Sequence, residues 1–300
     1  MILMLTLALF ALQLTEVPEG WRVENDHYAA LISRGNGMIS KLLFKGTGEA
    51  LIENMNAYTD YGIYERRRYV GSRGSDPEVF VSQEGRGVKI LSKGRLKPSL
   101  PERSIAYRTE FIFDESPEVR VSCELVPNFG VEDVRAFLSL CWAIPSLSEW
   151  LISSADGWLC QERGDGRVRD FSGFLDFRRP VVLFMTQKGA HLLIDGINWE
   201  TPTPPQRVVI HGRGFFLCFM DGVSSPLIKG GKYSVRFSLK VGKGIPHLSS
   251  VSALRISSSC SASERGIARV VIPPSTGQTR RSRYGRRGIA QRVEEEHRIS

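Results

Sequence analysis

Short runs rich in Val, Ile, Phe and Tyr recur along the chain, punctuated by Gly, Pro, Asn and Asp, and this rhythm restricts the fold more than any other feature. The segment Ile105 to Phe113 alternates strictly, with Ile105, Tyr107, Thr109, Phe111 and Phe113 on one face, the pattern of a half-buried strand. Similar runs at Val79 to Val81, Val88 to Leu91, Val119 to Val126, Val134 to Ile144, Val181 to Thr186, His191 to Ile194, Arg207 to His211, Gly214 to Met220 and Lys232 to Val241 also read as strands. Val131 to Leu140 is open to a short helix as well. No helical-period segments alternate with the strands, so the sequence predicts an all-β, antiparallel sandwich and argues against a doubly wound α/β sheet. With 300 residues, 42% of them hydrophobic, the chain is long enough for one large β domain or two smaller ones.

Both ends differ from this middle. Ile2 to Leu14 is apolar except for Thr6 and Gln13, and Thr15-Glu16-Val17-Pro18-Glu19-Gly20 then turns polar. The run is shorter than the roughly 18 residues that cross a bilayer as a helix, so residues 1–20 read as a signal peptide and the chain as exported, extracellular or at the cell surface. A buried first element and an uncleaved membrane anchor are the alternatives. Residues 21–247 are expected to form the β domain and 248–300 a disordered, Arg/Ser-rich tail. That tail holds ten Arg and no Lys against four Glu, so it carries +6 of the net charge of +8. A reading-frame shift near residue 250 would produce the same composition. The tail's arginines have no interleaved aromatics, so nucleic acid is not expected as a partner, and a membrane would be met only through an uncleaved N-terminal segment. The sequence sets no oligomeric state.

Two segments carry a family resemblance. The first runs from Trp21-Arg22-Val23-Glu24-Asn25 through Gly35-Asn36-Gly37-Met38-Ile39-Ser40-Lys41-Leu42 to Gly46-Thr47-Gly48-Glu49-Ala50-Leu51. It is similar to the opening of a galactose mutarotase-like β-supersandwich: an Asn-containing first strand, a Gly-containing hairpin, a "Gly-x-Ile-x-x-Leu" strand and a "Gly-x-Glu-hydrophobic" turn. The hairpin at Arg34-Gly35-Asn36-Gly37 uses residues that tolerate positive φ. The second segment, Pro226 to Leu239, resembles the closing strand of such domains after a Gly-rich turn. The resemblance implies carbohydrate, as polysaccharide or oligosaccharide, as the partner. It leaves the reaction open, since epimerases, polysaccharide lyases and accessory modules share the architecture. The Asn-His pair and the His-x-x-Phe-Asn-like segment of mutarotases are missing, so mutarotase activity is not expected.

Candidate chemistry is spread along the chain. Tyr58, Tyr61, Tyr64 and Arg66 lie in the densest aromatic and charged stretch, where rings and guanidinium groups suit sugar hydroxyls or an acidic glycan, although a strand with packed tyrosines and solvated charges explains it slightly better. Trp158, and Trp199 before a Pro-rich segment, are candidates for stacking on a pyranose ring. His191, Glu200 and His211 are the candidates for acid–base work at a sugar carbon. A carboxylate-rich stretch holds Glu162, Asp165 and Asp170, in which Asp165-Gly166 also reads as a hairpin turn. The five cysteines make no framework, and neither zinc nor EF-hand spacing occurs, so no metal and no cofactor is expected. Three functions follow in order: an exported carbohydrate-binding domain or accessory module, a lyase or epimerase-like enzyme with a His/Glu pair, and a structural cell-surface sandwich.

Overall fold

The computed structural model describes residues 12–63, 66–71, 76–96, 102–154, 157–160, 181–202, 207–211 and 214–246. The chain divides into two units, Met1–Ala268 and Arg269–Ser300, and every described residue lies in the first. The elements are all strands. They are β1 (Gln13–Val17), β2 (Gly20–Glu24), β3 (Tyr28–Ser33), β4 (Ile39–Phe44), β5 (Glu49–Ile63) and β6 (Arg66–Gly71). Next come β7 (Glu78–Glu84), β8 (Gly87–Leu96), β9 (Ile105–Phe113), β10 (Glu118–Pro127), β11 (Val131–Ala143) and β12 (Leu147–Ser154). The last six are β13 (Gly157–Cys160), β14 (Val181–Thr186), β15 (Ala190–Glu200), β16 (Arg207–His211), β17 (Gly214–Leu227) and β18 (Tyr233–Lys243).

They pair into two sheets of nine strands. The first sheet runs β1-β2-β3-β4-β5-β11-β17-β16, with β6 attached to β5; the second runs β13-β12-β14-β15-β18-β10-β9-β8-β7. Neighbours are antiparallel, as the short turns require. Val131–Ala143 is strand β11 and not the short helix that Val131 to Leu140 allowed: it lies between β5 and β17, with its registers interrupted by bulges. Tertiary pairing on both sides overrides a local pattern that is compatible with helix. The first sheet begins at Gln13, inside the segment expected as leader, because β1 pairs with β2 from Gln13↔Glu24 to Val17↔Gly20.

Alternation builds the core. In β9 the five odd-numbered residues are buried, as their pattern predicts, and β10 buries Val119, Val121, Cys123 and Leu125 beside them. The inner faces of the two sheets make one apolar cluster, and aromatic pairs link them: Tyr28 with Phe113, Phe184 with Phe215 at 5.3 Å, and Trp142 with Phe237 at 6.0 Å. Burial pushes the Cys123 thiol up to about 12, so it behaves as a core residue. Its sulfur accepts from the Thr109 hydroxyl at 3.6 Å.

Three polar ties fix one sheet against the other. The Asn25 amide donates to the carbonyls of Asp114 and Ser116 beyond β9, while its oxygen accepts from the His27 and Tyr28 amides. Every hydrogen-bonding position of this buried side chain is filled. At the hairpin read from the sequence, Gly37 has φ +63° and a Cβ there would meet the Ser92 hydroxyl at 2.3 Å, while that hydroxyl donates to the Asn36 carbonyl. Glu49, 6% exposed, accepts from Thr186 at 2.5 Å, from Thr47 at 3.1 Å and from the Lys188 amide at 3.3 Å. Asn25, Asn36 and Glu49 are thus the buried polar residues that the N-terminal motif supplies.

Candidate functional site

A trough opens on the solvent face of the second sheet, over β7 to β10. The inward set in β8 is Val88, Ile90, Ser92 and Leu96, so Lys93 and Arg95 face outward. By the same alternation Ala106, Arg108 and Glu110 of β9 and Glu124 and Val126 of β10 face outward too. Register places them in two rows. One row runs Glu78, Lys93, Arg108, Glu124 and on to Ser234 of β18. The next runs Arg95, Ala106 and Val126. Ala106 and Val126 are short where the neighbouring row is long, and the resulting hollow has a volume of about 480 Å³, with Asp76 and Glu78 at its rim. That volume falls within the range of small-ligand sites.

The charges lining the trough are differently committed. Glu124 pairs with Lys232 at 2.8 Å, and Arg108 with Glu110 at 3.2 Å. Partial burial pushes the Glu110 carboxyl up, but Lys89 and Arg108 outweigh it and hold the group below the usual carboxylate range. The Lys93 ammonium lies 5.3 Å from the ring of Phe80, which is 50% exposed. Among the described residues, the side chains of Asp76, Glu78 and Arg95 make neither a hydrogen bond nor an ion pair. The surface therefore offers uncommitted acceptors and an uncommitted donor fork around a short apolar floor.

The described residues expected to act from the sequence lie elsewhere. The His191 ring is 7% exposed, and its Nδ1–H donates to the Gly244 carbonyl at 2.7 Å. It lies on Gly242, its cross-strand partner, where a Cβ would come within 2.5 Å of the ring. Burial lowers its pKa from the ordinary 6.5, with the Gly244 bond pulling the other way. Glu200 sits at the far end of the same strand, nine residues and so about 30 Å away, where it accepts from Ser234 and pairs with Arg236 at 3.7 Å. The acid–base pair expected from His191 and Glu200 is therefore not assembled. His211 ends the edge strand β16 of the first sheet, in a cross-strand row that passes through Gly214 and Ala143 to Glu53.

Tyr58 and Tyr61 lie in β5, paired with Gly71 and Arg68 of β6, and Arg66 opens β6 opposite Ile63. Tyr64, Glu162, Asp165 and Asp170 lie outside the described residues. Trp158 occupies the edge strand β13 as partner of Ser153. Trp199, the candidate for stacking ahead of the Pro-rich segment, belongs to strand β15 and packs against the core. A bulge at Gly196, φ +64°, brings this about by shifting the inward face from Leu192 and Ile194 to Ile197. Sequence reasoning missed the trough because its signal is a register: Arg95, Ala106 and Val126 become neighbours only when three strands pair.

Among the described residues, no group of three or more His, Cys, Asp or Glu is placed to hold a metal ion, and no helix is long and apolar enough to cross a membrane. No protein-family model and no curated protein matches the sequence. Among solved structures the chain resembles a galactose 1-epimerase from Lactobacillus acidophilus NCFM, at TM-score 0.50 and 9% identity over 78% of this chain and 100% of that one. It also resembles a GalM/aldose epimerase homologue from C. elegans, at TM-score 0.46 and 8% identity over 73% of this chain and 97% of that one. The fold is that of the galactose mutarotase-like β-supersandwich, as the two end segments implied.

Proposed function

We propose, with the galactose mutarotase-like supersandwich as premise, that this chain is an exported carbohydrate-binding module and that its sugar lies in the trough over β7 to β10. The observation that carries the reading is the floor of Ala106 and Val126 set among side chains that can accept from, or donate to, ring hydroxyls. A pyranose has C–H faces and a rim of hydroxyls, and this surface offers counterparts to both. The likeness in fold to a galactose 1-epimerase supports a sugar ligand without supplying a reaction. A binding role also accords with the separation of His191 from Glu200 along β15.

The test is affinity electrophoresis of the full-length chain through gels containing neutral and acidic polysaccharides. Retardation by at least one glycan is expected, and Ala106→Leu, which fills the floor from the solvent side, should abolish it. If Tyr61→Ala abolishes retardation and Ala106→Leu does not, the binding surface is the β5–β6 hairpin. Unchanged mobility across the panel overturns the carbohydrate reading.

A further inference from the structure

We infer that the sugar taken by this trough carries a carboxylate, as a uronic acid does, and that Arg95 is the residue that selects it. The inference rests on the trough being the sugar site. Of the three basic side chains lining it, Arg108 is held by Glu110 and Lys93 leans over the Phe80 ring. Arg95 alone among them has no partner among the described residues. It also stands in the row of the floor, with Ala106 opposite it and Val126 next.

A ring lying over Ala106 and Val126 would span about one strand spacing, roughly 5 Å, with Arg95 one further spacing beyond its edge, within reach of the long guanidinium side chain. A carboxylate at that edge meets a planar guanidinium whose paired N–H groups match its two oxygens, a geometry that a lone hydroxyl cannot fill. The acidic groups do not oppose this arrangement equally. Glu124 is neutralised by Lys232, and Asp76 and Glu78 stand on the solvated rim at the edge strand β7, where they can accept from ring hydroxyls. An amino sugar would reverse the roles, with its ammonium group at Asp76 and Glu78 and Arg95 left idle.

The experiment is a two-dimensional NMR or calorimetric titration of the full-length protein with methyl galacturonoside, methyl galactoside and methyl glucosaminide, repeated with Arg95→Gln and Ala106→Leu. Arg95 is exposed and unpaired, so Arg95→Gln should leave the fold intact. The galacturonoside should bind roughly tenfold or more tightly than the galactoside, as the gain of one charge-assisted pair implies, and raised salt should weaken it. Arg95→Gln should bring the galacturonoside down to the affinity of the galactoside, and Ala106→Leu should remove binding of both. Equal affinity for acid and neutral sugars, unmoved by Arg95→Gln, overturns the inference and leaves the carbohydrate reading standing. Tightest binding of the glucosaminide overturns it in favour of Asp76 and Glu78. Binding of none of the three overturns the reading and the inference together.

Discussion

At the scale of the residue, His191 shows how a group that suggests chemistry is used for structure. Its ring fills the space that Gly242 leaves, and its Nδ1–H closes on the Gly244 carbonyl, so a second proton would have to enter on Nε2 against a buried surface. The folded state therefore holds this pKa below the unfolded value of about 6.5. Between the two values the unfolded chain binds more protons, so stability rises with pH across that window. The contribution is complete above about pH 6.5 and is lost as pH falls through the lowered folded value. Urea midpoints measured from pH 7.5 down to 5 should decline in the parent, and His191→Gln should flatten the part of that decline that His191 causes. An identical pH profile in the variant would mean that His191 titrates normally and its burial is not felt.

At the scale of the element, strands with short turns were readable and their partners were not. The alternation of Ile105 to Phe113 gave β9 to the residue, and Arg207 to His211 and Val181 to Thr186 gave β16 and β14. Bulges defeated the reading of longer strands. Gly196 breaks the alternation of β15, and β11 shifts register several times against β17. The site was less legible than the fold because tryptophans and histidines draw attention, whereas the trough depends on where side chains are short. The central strand of the second sheet is β18, between β15 and β10, and it is the only strand joining β7–β10 to the β12–β15 side. It buries Tyr233, Val235, Phe237, Leu239 and Val241. Ending the chain after Gly230 should abolish the cooperative unfolding transition, because losing five buried large apolar residues at about 2 kcal/mol each is comparable with the whole net stability of a domain, and the sheet is split besides. Ending it after Pro246 should preserve that transition. Circular dichroism through a thermal ramp distinguishes the two outcomes, and a cooperative transition in the shorter chain would contradict the central role of β18.

At the scale of the molecule, the exported reading and the fold constrain each other. β1 forms the edge of the first sheet from Gln13, and Leu12 beside it is buried at 8% exposure. Under the proposed export, cleavage of a leader would fall ahead of Leu12 and not near residue 20, and intact-mass measurement of the natively produced protein checks this. A new terminus at Trp21 would mean that β1 is dispensable. The placement of β18 also bears on the order of events during synthesis. The strands on either side of it are made first, β7 to β10 and then β12 to β15, but the bridge between them is the last of the described strands to leave the ribosome. Until it arrives, the two halves of the second sheet have no common neighbour and the trough's sheet is incomplete. Under the proposed export, this order keeps the chain open for passage through a translocation channel, because the segment that would lock it shut is the last of the described strands to be delivered.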